Sequence, residues 1–453
     1  MMRTFLLLSI VSLSLLVLPS AYGQQEPLSV TPRAFSMQQA QDYAFENNYD
    51  LKNSAYDIQI ARKMVRQNTA IGLPQVNGSV DYNDFIDRPT SLLPGEFFGK
   101  PGTEIPVQFG TKYNATLKAT ITQLIYSGQY LVGLQTAKAY LETVKQKNLK
   151  DKIDVRDLVA DAYLRVLVIE QSILILDSTY KVVSKLVDEA RASYNSGLIE
   201  DIDVDQADLN RSNLEAQLAD VQSSRNIAYA SLKFLLGLKD NQEITLTDNL
   251  EYFLAQVDRD ALVNQPFDFN RNIDYLMLKK SDYLVLMQYK LAKTAYHPTL
   301  AGFIGISENA QRNSWNFFKS YEPWYRTTNW GLSLSIPIWS SGSRKFSVDQ
   351  ARLNVEKTKV TDEKLRVGLE LQVETAKKDF SNAYFVYKNK KKGFETALKI
   401  YQKTTTKYQQ GISSSTDLNQ RYSQFLQANS DYMMSMYTVL SSKIRLSKLL
   451  EKF

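Results

Sequence analysis

Side chains equipped for bond-breaking chemistry are scarce in this chain. Its 453 residues include one histidine, His297, and no cysteine. That removes thiol nucleophiles, disulfides, a lipid-carrying cysteine and the Cys/His spacings that hold zinc. His297 directly precedes Pro298 where a helix should meet a strand, so it reads as a junction residue and not a catalytic base. No phosphate loop or Gly-x-Ser-x-Gly elbow is present, and no enzyme activity, cofactor or metal is expected. What remains is the chemistry of hydrogen bonds and fixed charge at two turns. Tyr194-Asn195-Ser196-Gly197-Leu198 is followed by Asp203, and Tyr408-Gln409-Gln410-Gly411-Ile412 is followed by Asp417. Each glycine suits the end of a helix, where the backbone turns left-handed. Each carboxylate falls in the first turn of the next helix, where the macrodipole favours it. Helix capping accounts for these residues.

The elements that carry the two turns are written twice. Asn48 to Pro74 aligns without a gap with Asn272 to Pro298, and Gly128 to Gly237 aligns with Gly342 to Glu451. The offsets are 224 (272 − 48) and 214 (342 − 128), so the halves differ by ten residues, all between two strand-like segments. Length changes collect at exposed loop tips, which places 88–108 and 311–328 outside the packed body. Each half reads helix, proline, alternating strand, loop, alternating strand, Ser-Gly, very long helix, Tyr-x-x-Gly turn, second helix.

The lengths narrow the class. Residues 107–265 and 338–453 contain no proline. From Val155 through Val159, Ala162, Val166, Ile169, Ile173, Leu176, Tyr180, Val183, Val187 and Ala190 to Tyr194, apolar residues step by four and three, a coiled-coil period. Long helices are expected over about 129–195, 202–237, 343–409 and 416–451, the first of them roughly 95–100 Å long at 1.5 Å per residue. Strands are expected over about 74–87, 112–126, 298–310 and 327–339, each of a length that crosses a bilayer when tilted. All four tryptophans, Trp315, Trp324, Trp330 and Trp339, lie in one short stretch, and with Tyr126 they suit membrane interfaces. Four strands cannot close a barrel, so subunits must share one. Met1 to Gly23 has a lone Arg3, an apolar run and small residues near Gly23, the pattern of a secretory signal peptide. Two repeats follow, 24–271 with a linker at its end and 272–453. With 54 basic and 48 acidic residues and no basic cluster, no nucleic-acid partner is implied.

These segments together resemble the TolC-like outer-membrane factors, the outer-membrane efflux proteins, over essentially the whole mature length. The resemblance is carried by Phe35-Ser36-Met37-Gln38-Gln39-Ala40, by Gln123-Leu124-Ile125-Tyr126-Ser127-Gly128, by Ile336-Pro337-Ile338-Trp339-Ser340-Ser341-Gly342 and by the two duplicated turns. It implies a mainly α fold with β: a homotrimeric, twelve-stranded outer-membrane β-barrel continuous with a periplasmic α-helical barrel, in a Gram-negative bacterium. It implies an exit duct for tripartite efflux or type I secretion, passively conducting substrates and partnered by a periplasmic adaptor (membrane fusion protein), an inner-membrane pump and outer-membrane lipid. The turns would meet the adaptor through Tyr194, Gly197, Leu198, Gly411 and Ile412. Tyr408 and Asp203 match a lock at the periplasmic gate, and Asp417 matches an acidic ring there. Ser413 stands where the family usually has an arginine, and Gln420 where a second acid is common. The alternative is a periplasmic coiled-coil adaptor or structural protein without a pore. That should show one helical hairpin between β-rich domains, whereas this chain has two hairpins and strands in both repeats.

Overall fold

A computed structural model describes residues 33–239 and 241–450. The expected signal peptide lies outside them. In chain order the first half runs β1 (Arg33–Phe35), α1 (Met37–Asn47), α2 (Tyr49–Ala70), β2 (Gln75–Asp84), β3 (Thr90–Pro94), β4 (Glu104–Gln108), β5 (Tyr113–Ser127), α3 (Gly128–Asn195) and α4 (Asp201–Leu236). A linker follows with β6 (Ile244–Leu246), α5 (Leu250–Ala255) and α6 (Arg259–Val263). The second half runs α7 (Ile273–Lys293), β7 (Thr299–Arg312), β8 (Tyr325–Ser335), α8 (Ser343–Gln409) and α9 (Ser415–Leu450).

Local chemistry explains where these elements start. Ser36 and Gln39 form a reciprocal capping box that opens α1. Ser127 opens α3 by accepting from the Tyr130 amide. The helix expected to open the first half is two helices, broken at Asn48. The Asn48 side chain accepts from the amides of Asp50 and Leu51 and so caps α2, while its Nδ2 donates to Leu235 O at 2.7 Å at the end of α4. Asn272, its repeat counterpart, caps α7 through Asp274 and Tyr275 in the same way. Both asparagines are buried, so the duplication includes a polar joint as well as a pattern.

Helices α3 and α8 span 68 and 67 residues. α3 packs on α2, α4, α7 and α9, which is why its buried positions spread beyond one stripe to Tyr163, Leu164, Leu167 and Leu186. The main core gathers midway along α3 and α8 around Val159, Tyr163, Val166, Phe380, Leu232 and Val439. Tyr163 is fully buried, and its hydroxyl donates to Phe35 O at 2.9 Å and accepts from the Asp248 amide at 3.3 Å. That bond ties α3 to the two-stranded parallel ribbon of β1 and β6. A second core nearer the turns holds Leu176, Val183, Leu186, Leu214, Tyr401 and Phe425.

The four-stranded sheet has the order β2-β5-β7-β8, antiparallel throughout. Its register sorts side chains cleanly by face, because alternate residues point to opposite sides. Val76, Ile121, Ile304 and Trp330 form one apolar row, with Tyr82, Ala115 and Ala310 in another on the same side. The opposite side carries Asn77, Thr120, Gly305 and Asn329, then Ser79, Lys118, Ser307 and Thr327. One ion pair interrupts the apolar side, Arg326 Nε to Glu308 Oε1 at 2.6 Å. β8 stops at Ser335, short of the expected 339, because Pro337 has no N–H to continue the ladder. The outer connections differ from 88–108 and 311–328, the first running longer, over 85–112, and the second shorter. β3 and β4 pair as a small hairpin within the first, and β7 and β8 reduce the second to 313–324.

Candidate functional site

The two turns have the same backbone. In the first, the Gly197 amide donates to Tyr194 O at 2.8 Å and the Leu198 amide to Ser193 O at 2.9 Å. In the second, Gly411 donates to Tyr408 O at 3.0 Å and Ile412 to Lys407 O at 2.9 Å. These are Schellman caps, and both glycines are left-handed, at φ 73° and 71°. A side chain there would strain the backbone, so glycine sets the turn. The residue after each glycine normally packs back onto its helix. Here Leu198 and Ile412 are 77 % and 70 % exposed, which leaves two apolar tips in solvent beside the exposed Tyr194.

Just above the tips, Asp203 on α4 and Tyr408 on α8 line one cavity with Tyr401, Tyr422, Asn210 and Asn419. The structure therefore brings the inferred lock residues together. Burial, and then the Asp203 charge, pushes the Tyr408 phenol above its ordinary value. Among the described residues, however, no hydrogen bond joins Tyr408 to Asp203. Near the turns, the hydrogen bonds between the hairpins include Asn210 Nδ2 donating to Asn419 Oδ1 and Gln409 Nε2 donating to Glu189 Oε2 at 2.9 Å. Nothing in the sequence distinguished these amides from surface asparagine and glutamine.

Asp417 stands apart from that cavity's lining. Its carboxylate accepts from Ser413 Oγ at 2.9 Å and from Arg421 Nε at 3.2 Å. Arg421 was missed, although an acid followed four residues later by an arginine is a readable helical pair. Ser413, at the position where the family usually has arginine, thus binds Asp417, and Arg421 supplies the positive charge from within α9.

At the other end, Trp330 sits midway along β8 rather than at its end, and Trp339 lies beyond the strand. Trp315 and Trp324 flank Phe317, at 6.5 and 6.2 Å between ring centroids. Tyr126 ends β5 with its hydroxyl 3.5 Å from His297 Nδ1, and the His297 ring packs against Gly128 at the start of α3. His297 is therefore part of a strand-to-helix joint.

The model of the family described as "Outer membrane efflux protein" matches residues 41–238 and 285–451. The chain belongs to this family. The matched segments fall one in each half and leave out most of the linker around β6, α5 and α6. The outer membrane protein TolC of Salmonella enteritidis is 24 % identical over 363 residues, 78 % of this chain and 68 % of that one. The Campylobacter jejuni CmeC outer membrane channel superposes with a TM-score of 0.69 at 16 % identity, over 91 % of this chain and 85 % of that one. The open state of the Neisseria gonorrhoeae MtrE outer membrane channel gives 0.68 at 15 % identity, over 91 % and 88 %. As an outer-membrane efflux protein the chain is a channel with a periplasmic helical portion, and not an enzyme.

Proposed function

We propose that three copies close one barrel of twelve strands and one helical tunnel, and that this duct carries efflux or secretion cargo passively from the periplasm, or from a pump, to the exterior. The observation that carries the reading is the sheet. Among the described residues it has four strands, free edges at β2 and β8, one polar face and one apolar face. Open edges are not tolerated in lipid, and the smallest bacterial barrels have about eight strands. The apolar face then meets lipid and the polar face lines the lumen. α3 follows β5 directly and α8 follows β8 closely, so the wall continues as helices into the periplasm.

The exposed Leu198 and Ile412 tips fit a periplasmic adaptor that couples the duct to an inner-membrane pump. Tyr408, Asp203 and Asp417 belong to the gate above them. The mature protein should fractionate with the outer membrane and run as a trimer in mild detergent; a soluble monomer would sink the reading. Lys100→Cys, in the turn between β3 and β4, should react with an impermeant thiol reagent on intact cells. Labelling only after the outer membrane is breached would reverse the orientation.

A further inference from the structure

The segment between β7 and β8, residues 313–324, doubles back over the apolar face of the sheet. Phe317 is buried and meets Tyr82 edge-on at 5.9 Å, and Tyr82 lies on that face two strands away. Ala310, in the same row as Tyr82, has no exposed surface. Arg312, the next position of that face on β7, is buried too. Its guanidinium turns into the segment, donating to Pro323 O at 2.6 Å and standing 3.8 Å from the Glu322 carboxylate. Trp324 completes the cover against Phe317. The first repeat does something else at this place, pairing β3 with β4.

The cover is apolar on its outer side as well. Trp315, Phe318 and Tyr321 are 62 %, 88 % and 72 % exposed, and the Lys319 ammonium stands 5.8 Å from the Tyr321 ring. Depth agrees with a membrane boundary. From Leu334 to Trp324 the chain rises about 26 Å, taking about 3.4 Å per residue and a tilt of about 40°, against an apolar band of about 25 Å in such barrels. The segment therefore sits at the outer rim of the band. Amphipathic aromatic rings favour that boundary, and a lysine there meets anionic headgroups.

We propose that residues 313–324 form a lipid-binding strap. Trp315, Phe318 and Tyr321 insert at the headgroup level of the outer leaflet, and Lys319 pairs with lipid phosphate. The strap rests on the reading of the apolar face as the lipid face, and the test separates the two. One variant keeps only Trp315 (Trp324→Phe, Trp330→Phe, Trp339→Phe), and a second keeps only Trp330. Each is reconstituted into phosphatidylcholine–phosphatidylglycerol vesicles containing lipid brominated near the headgroup end or near the methyl end of the acyl chain. Trp315 emission should be lost mainly to the shallow bromine, and Trp330 emission mainly to the deep one. If Trp330 is quenched but Trp315 answers to acrylamide and not to bromolipid, the strap faces water and the inference is overturned. If Trp315 answers to neither, another copy covers it, with the same consequence. If neither tryptophan answers to bromolipid, the lipid face itself is misassigned and the strap falls with it. Should the single-tryptophan chains fail to assemble, Phe318→Cys carrying a polarity-sensitive fluorophore in the otherwise native chain gives the same readout. A blue shift on reconstitution supports the strap, and an unshifted, water-like emission overturns it.

Discussion

Hairpin α3–α4 and hairpin α8–α9 turn through the same Schellman geometry, yet their seams are built from different side chains. The first seam is aliphatic, with Leu176, Val183 and Leu186 facing Leu214. The second is a ladder of rings. Tyr387 stacks on Tyr432, Tyr432 on Phe394, Phe394 tilts on Phe425, and Phe425 stacks on Tyr401 at 5.3 Å. Polar roles are divided in part. Glu189 of the first hairpin accepts from Gln409 of the second, while a tyrosine and an aspartate recur in both turns. Duplication kept the backbone, which glycine fixes, and left the side chains free to become complementary.

The largest expected effect tests the seams. Phe425→Ala should cost about 3–5 kcal/mol and Leu214→Ala about 2–5 kcal/mol, the aromatic loss being the larger because Phe425 packs against two further rings. Thermal unfolding of the detergent-solubilised protein reads this. A costlier Leu214→Ala would show that the aliphatic seam is the stiffer one.

Next in size is the bond between hairpins. Asn419→Ala removes the Asn210 contact, worth about 0.5–1.5 kcal/mol in each copy of the proposed trimer. Single-channel conductance in planar bilayers should rise more for Asn419→Ala than for Tyr408→Phe, since Tyr408 has no hydrogen bond to Asp203 to lose. The reverse order would return the lock to Tyr408.

Charge at the mouth should respond less, and with an informative sign. Arg421→Gln frees the Asp417 carboxylate, so cation selectivity should increase. Asp417→Asn should shift it the opposite way. The exposed pair itself is worth only about 0–1 kcal/mol, so unfolding should barely change. Equal selectivity in both variants would place Asp417 away from the ion path. The smallest effect belongs to Tyr422→Phe. Its hydroxyl is buried without a hydrogen-bond partner among the described residues, and removing such a group is neutral or slightly stabilising. A clear loss of stability would mean that the hydroxyl is satisfied across the mouth.

What the sequence disclosed followed from how each feature is encoded. The long helices were readable because the lack of proline and the alternating steps of three and four accumulate over dozens of residues. The turns were readable because only glycine takes their backbone at little cost. Position along an element was harder. Trp330 looked like a strand-end residue because tryptophans cluster in sequence there, but register fixes depth, and register depends on pairing with Ile304. Asn48 was missed as a break because a capping asparagine and a mid-helix asparagine look alike until the neighbouring amides are placed. Arg421 and the Asn210–Asn419 bond depend on rotamers and on inter-helix contacts, which periodicity does not encode. The 313–324 strap was opaque for a similar reason: a loop's direction of fold is set by what it covers, here Tyr82 and Ala310.

The polar face of the sheet has a consequence for flow. With Lys118 and Asp81 charged and Phe303 and Tyr325 as rings among them, many of its positions are short amides and hydroxyls, such as Asn77, Thr120, Ser307 and Asn329. Such groups both donate and accept hydrogen bonds, so they stay wet, and none is long enough to wrap a solute. Conduction needs binding weak enough to leave, and a wall in which such wetted groups predominate holds little for long. A lumen of this kind would be low in friction and indifferent to cargo. Throughput would then be set by how often the mouth admits a solute, and selectivity by whatever delivers it there.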